Sequence, residues 1–236
     1  MEHSIEHRPS YALLTVDLKR GEQLVAEAGS MVRHGGDVDI ETGARGGVLD
    51  SLKRTAFGGE SFFMNTYTAT ADTAVSLAPA LPGDLIAEAL DGRLLVQSGS
   101  FVAAPATVDV DTTFGGGRTF FGGEGLFLLD IEGHGDLFLS SYGAIDRVDV
   151  PAGESVVVDT GHVVAFDPDV EWSVTRVGGL KSTLFSGEGL VCEFTGPGTV
   201  WTQSRSADAL LAWLAPRLPG GGDGGGGRGG GFSVNF

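Results

Sequence analysis

The phrase FGGES at residues 57–61 returns as FFGGEG at 120–125 and as FSGEG at 185–189, which sets Glu60, Glu124 and Glu188 at a constant interval of 64 residues. So regular a spacing marks an internal repeat. A repeat limits the fold more than any other feature, because one supersecondary unit has to be copied along the chain. Ahead of each copy stands a second phrase: GEQLVAEAGSMVR (21–33), GRLLVQSGSFVAA (92–104) and GESVVVDTGHVVAF (153–166). In each, apolar residues at alternating or consecutive positions surround a glycine, at 29, 99 or 161, which spells a strand, a bend and a second strand.

Further alternating segments precede these phrases: YALLTVDLKR, DLIAEALD and AIDRVDVPA. Taken alone, Asp84–Asp91 has the composition of a short helix, but its place in the repeat predicts a strand. After the FGGE copies come strand pairs with Gly133 and Gly135, then Gly196 and Gly198, expected to form tight tips between antiparallel strands. The first copy has Ala69–Ala71 there and predicts a different tip.

The resulting expectation is an all-β fold of three repeats of short antiparallel strands, forming packed β-sandwich units at about 5–80, 81–145 and 146–204 within a single domain over 1–218. The segment 40–56 lengthens the first unit and carries a short amphipathic turn at Val48–Lys53. SRSADALLAWLAPRLPG predicts one C-terminal helix over about 206–215, capped by Ser204 or Ser206 and stopped at Pro216. The glycine-rich stretch 219–236 reads as a flexible, disordered tail.

These phrases in this order resemble the altered inheritance of mitochondria protein 24 family, also called the mitochondrial biogenesis family. The resemblance runs from about Ile5 to Pro219. It rests on GEQLVAEAGSMV, GGVLDSLKR followed by FGGESFFMN, FFGGEGLFL, VDTGHVVAF and FSGEGLVCEFTGPGTVWTQS. The resemblance implies a fold similar to the tryptophan RNA-binding attenuation protein, a shallow β-sandwich that assembles into rings, and a homotrimer of repeat-containing subunits. It implies no agreed reaction for prokaryotic members and a role in inner-membrane organisation for mitochondrial ones.

Charge narrows the partners. Among 236 residues, 31 acidic and 15 basic side chains leave a net charge of −16, and lysine occurs only at 19, 53 and 181. Such a surface repels phosphate backbones, so nucleic acid is disfavoured. Acid in excess with little lysine is also the balance of a halophilic protein from a high-salt cytoplasm, where carboxylates keep the surface hydrated. No apolar run nears the roughly 20 residues of a membrane span. MEHSIEHRPS has neither basic leader nor hydrophobic region, so the expected location is cytoplasmic, with peripheral membrane association left open. A lone cysteine, Cys192, excludes an internal disulfide and a four-thiolate zinc site.

Each candidate site also has a plain structural role open to it. Glu60, Glu124 and Glu188, with Gly59, Gly123 and Gly187 before them, either converge as a carboxylate cluster able to hold a divalent cation or share a proton, or accept N–H bonds in their own glycine turns; the turn reading is favoured. Asp159, Thr160 and Gly161 form the D-T-G of an aspartic protease, yet no second D-T-G exists and the repeat counterparts are Glu27 and Gln97. An Asp/Thr turn bent at Gly161 is favoured there, with His162 a satisfied strand histidine. His3 and His7 stand too far apart on a strand, about 13 Å, to share an ion. No G-x-S-x-G elbow and no phosphate loop occur. The expected function is a non-enzymatic, oligomeric β-scaffold with no cofactor and no metal, presenting a surface or pocket to a protein or small-molecule partner. The alternatives are a ligand-binding or hydrolytic protein using clustered carboxylates, and an RNA-binding ring.

Overall fold

The computed structural model describes residues 1–43, 63–111, 127–176 and 190–218. This part is mostly β, in antiparallel sheets, with one short C-terminal helix. The FGGE copies, with Glu60, Glu124, Glu188 and their glycines, the turn at 48–53 and the tail from 219 on lie outside the described residues.

A four-stranded sheet runs β1 (Glu2–Glu6), β2 (Leu13–Leu18), β7 (Thr73–Leu77), β4 (Met31–His34). The largest sheet, of ten strands, begins with β12 (Ile145–Val150), β17 (Gly198–Gln203), β14 (Val163–Phe166) and β8 (Leu85–Gln97). It continues with β11 (Leu128–Ser140), β9 (Phe101–Pro105), β3 (Gln23–Glu27), β6 (Met64–Ala69) and β5 (Val38–Gly43), while β10 (Asp109–Asp111) pairs with β11 off this path. A third sheet holds β13 (Ser155–Asp159), β16 (Leu190–Thr195) and β15 (Glu171–Arg176).

Sequence pattern follows layer position. β2 alternates, with Leu14, Val16 and Leu18 buried and Asp17 in solvent, as a strand with one wet face should. Some strands of the large sheet have apolar neighbours on both faces over part of their length, as where Leu94, Leu95 and Val96 are buried in succession. On β3, Leu24 and Ala26 pack into one core with Tyr67 and Leu77, whereas Val25 enters another with Leu94, Val96 and Phe101. Phe166, Cys192 and Phe194 centre a third core that also takes Leu95 and Leu128.

β8 and β11 are each 13 residues long and pair along their whole length. Midway, Gly92 lies opposite Gly133, at φ +116° and +148°, with Gly135 at +142°. Only glycine adopts such angles without strain, so the ribbon bends here. Leu85 and Phe138 at one end join the core of Tyr67 and Leu77, and Leu95 and Leu128 at the other join the third. The expected tip at 133–135 is therefore a kink inside one continuous strand, since Gly-x-Gly serves a bend as well as a hairpin. Gly196 and Gly198 likewise join two strands of different sheets, β16 and β17, that do not pair with each other. Asp84–Asp91 lies almost wholly in β8, a strand, as its repeat position predicts.

Each strand–bend–strand phrase is present as read: β3 to β4, β8 to β9 through a 3-10 turn at Ser98–Ser100, and β13 to β14 through a 3-10 turn at Thr160–His162. The second strand of each pairs with a neighbour across a register shift, at Met31/Arg33, at Phe138/Leu139 opposite β9, and at Val163/Ala165. The helix, α1 (Ala207–Leu214), starts at Ser206, whose Oγ accepts the Ala209 N–H at 3.4 Å. None of its residues is buried, and Leu211 and Trp213 are exposed.

Candidate functional site

Asp159, Gly161 and His162, the residues whose pattern pointed most directly to chemistry, sit at the bend from β13 to β14. The Asp159 carboxylate accepts the Gly161 N–H at 2.9 Å, capping the 3-10 turn. Thr160 Oγ1 donates to the Leu190 carbonyl at 3.2 Å. Gln203 at the end of β17 then ties the bend to a distant loop: its Nε2 donates to the Gly161 carbonyl at 2.9 Å, while its Oε1 accepts the Tyr142 N–H at 2.7 Å. His162 Nδ1 lies 2.7 Å from the Gln203 carbonyl oxygen and, as the donor there, carries its proton on that nitrogen. Every polar group of D-T-G-H named here is engaged with main chain or with Gln203. Gln203 carried no motif and was not singled out in the sequence.

A second polar knot ties the N-terminal segment to the start of β8. The Arg8 guanidinium makes a two-pronged ion pair with the buried Asp84 carboxylate, at 2.7 and 2.9 Å, and Asp84 also accepts the Leu85 N–H at 2.8 Å. Burial alone would raise this carboxyl, but the Arg8 and Leu85 hydrogen bonds outweigh it and hold Asp84 below the usual carboxylate range. Two residues 76 apart in sequence leave no local signal of such a pair.

Two of the concavities among the described residues have defined linings. One is a shallow apolar hollow of about 190 Å³ between Tyr11, Ala12 and the stretch Ala78–Gly83. The other, of about 470 Å³, is lined by Asp91, Arg93, Asp167, Pro168, Asp169, Pro197 and Gly198. Three of its charged groups have partners: Arg93 reaches Asp130 at 2.6 Å, His134 Nδ1 lies 2.8 Å from Asp91, and Asp167 accepts the Thr199 N–H at 2.7 Å. Among the described residues, no three His, Cys, Asp or Glu side chains come together to hold a metal ion. Cys192 is fully buried, and burial, with the charge of Asp159, pushes its thiol up to about 12, so it is no nucleophile at neutral pH.

Glu27 occupies the phrase position that Asp159 holds in the third copy, but its environment differs. Burial pushes its carboxyl up to about 7 from 4.5. A raised folded value means that stability present below the unfolded value is lost as pH rises through 4.5 to 7. Glu27→Gln is therefore expected to be neutral near pH 4 and to stabilise the fold above pH 7 by about 2 kcal/mol, allowing for partial solvent access. Urea unfolding of both proteins at pH 4.5 and 8 checks this, and equal effects at the two pH values would refute it.

The chain has counterparts among known proteins in both sequence and fold. The family model described as Mitochondrial biogenesis AIM24 matches residues 3–205. The chain belongs to the Mitochondrial biogenesis AIM24 family. An AIM24-like relative, an uncharacterized protein of Streptococcus pyogenes serotype M6, is 27% identical over 228 residues, covering 93% of this chain and 92% of the relative. A crystal structure of a Streptococcus pyogenes protein superposes with a TM-score of 0.79 at 27% identity, over 92% of this chain and 99% of that one. The AIM24 match thus covers most of the sequence. No helix of the described residues is long and apolar enough to cross a membrane.

Proposed function

We propose that this chain is a non-enzymatic scaffold of three β-sandwich repeats, working in the cytoplasm as a homotrimer and presenting a surface or pocket to a protein or small-molecule partner. The D-T-G-H bend carries this reading. Residues that would have to face a substrate instead spend their hydrogen bonds on Leu190, Gln203 and each other, which is what a joint in a framework requires. The recurrence of a register shift beside the second strand of all three phrases supports the repeat.

Light scattering on the purified protein, at low and at multimolar salt, tests the proposal. The expected mass is three times 24.4 kDa in both, since apolar strand contacts strengthen with salt while the repulsion of a −16 chain is screened. A monomer at micromolar concentration in both conditions would end the scaffold reading.

A further inference from the structure

In both places where one strand–bend–strand phrase meets the next, the strand before the bend pairs antiparallel with the strand after the bend of the following phrase. β3 joins β9 through Val25 opposite Ala104 and Ala26 opposite Ala103. β8 joins β14 through Leu95 opposite Phe166 and Val96 opposite Ala165. Counted from the phrase glycines at 29, 99 and 161, the register is the same at both junctions: four residues before the glycine meets five after, and three before meets four after.

The series leaves one strand of each kind over. β13, the strand before the third bend, pairs only with β16, and β4, the strand after the first bend, pairs only with β7, among the described residues. Both are edges, and both show side chains that their counterparts bury. Val32 is 55% exposed, whereas Val102 and Val164 at the same phrase position are 0% exposed. Val157 is 60% exposed, against 1% for Val25 and 2% for Leu95. An edge strand with bare valines is a template for strand addition.

We propose that β13 of one copy pairs antiparallel with β4 of a second copy of this chain, with Val157 opposite His34 and Val158 opposite Arg33, so that copies join head to tail. The register is the one both internal junctions use. Charge agrees with it: β4 brings Arg33 and His34 and no acid, and β13 brings Asp159 and lies beside Glu193 on β16. The occupant is another copy rather than the chain's own far end, because the high exposure of Val32 and Val157 shows neither edge shielded by its own molecule. Such a heterologous contact repeats from copy to copy until it closes a ring. This rests on the self-assembly reading above and names the surface through which assembly occurs.

The test uses His34→Cys and Val157→Cys, each in a separately tagged chain, co-expressed and treated with a short bis-maleimide. Both positions are exposed, so the variants are expected to fold, and circular dichroism confirms it. The only native thiol, Cys192, is fully buried and stays unreacted. The expected result is a covalent dimer carrying both tags, at least fivefold more abundant than any cross-linked product of either variant alone. Val157→Pro, which blocks pairing along the edge, is expected to shift the scattering mass to the monomer. No mixed dimer above the single-variant background, or a chain carrying both substitutions that cross-links only within itself, overturns the proposal. If wild-type scattering still shows an assembly in that case, only this interface is wrong; if it shows a monomer, the self-assembly reading falls with it.

Discussion

Gly83→Ala is expected to lower stability by about 4 kcal/mol, roughly 8–16 °C in Tm for a chain of this size. Gly83 bridges to Gly143, and a Cβ built at Gly83 would overlap the Ser141 carbonyl oxygen and crowd the Gly143 nitrogen. Those neighbours are backbone, so no rotamer change relieves the clash. Separating the segments would strain the bonds from Asp84 N–H to Gly143 O at 2.9 Å, Gly143 N–H to Pro82 O at 3.0 Å and Ser141 N–H to Asp84 O at 3.0 Å. It would also pull Asp84 away from Arg8. Gly36→Ala is the control, because an added Cβ there meets nothing within 4 Å, and a change within about 0.5 kcal/mol is expected. Thermal melts of the two variants side by side decide the matter; a Gly83→Ala protein melting within 2 °C of wild type would refute the close-approach argument.

Phe166→Ala should cost about 3–5 kcal/mol through lost burial and the cavity left behind. Phe166 is fully buried, with its ring 5.4 Å from Trp172 and 5.0 Å from Phe194. β14 is paired on both sides, by β17 and β8, so the backbone cannot collapse into the space. Phe166→Leu refills most of the volume and should cost less than half as much. Denaturant unfolding gives the energies, and tryptophan emission reports the site, since Trp172 loses its aromatic neighbour. A loss below 1 kcal/mol in the alanine variant would show the third core to be loosely packed.

Much of this architecture was legible in the sequence because one strand–glycine–strand phrase recurs three times along it. The glycines at 29, 99 and 161 marked three bends, and repeat position correctly made Asp84–Asp91 a strand where composition alone favoured a helix. Family membership was legible through the ordered phrases. Failures came where one local pattern serves two geometries, as with Gly133 and Gly135, read as a hairpin tip and found inside a kinked strand. The polar joints were not legible either. Arg8 with Asp84 and Gln203 with Tyr142 meet across 76 and 61 residues of chain, and nothing near any of them announces a partner. Glu27 was noticed only as a repeat counterpart, because its shifted carboxyl follows from tertiary burial.

The bent ribbon of β8 and β11 has a consequence for how such a protein can be taken apart. A solenoid loses terminal modules one at a time because each touches only its neighbours through side chains. Here the middle segment contributes to all three cores, and its flanking strands are zipped to β3 on one side and β14 on the other. No third of the molecule can melt while the rest stays folded, so limited proteolysis should yield intact protein and small peptides without a stable fragment between. The same stitching constrains inheritance, because a lineage could lengthen the loops between strands but could not delete the middle segment without unmaking the sheets on either side of it.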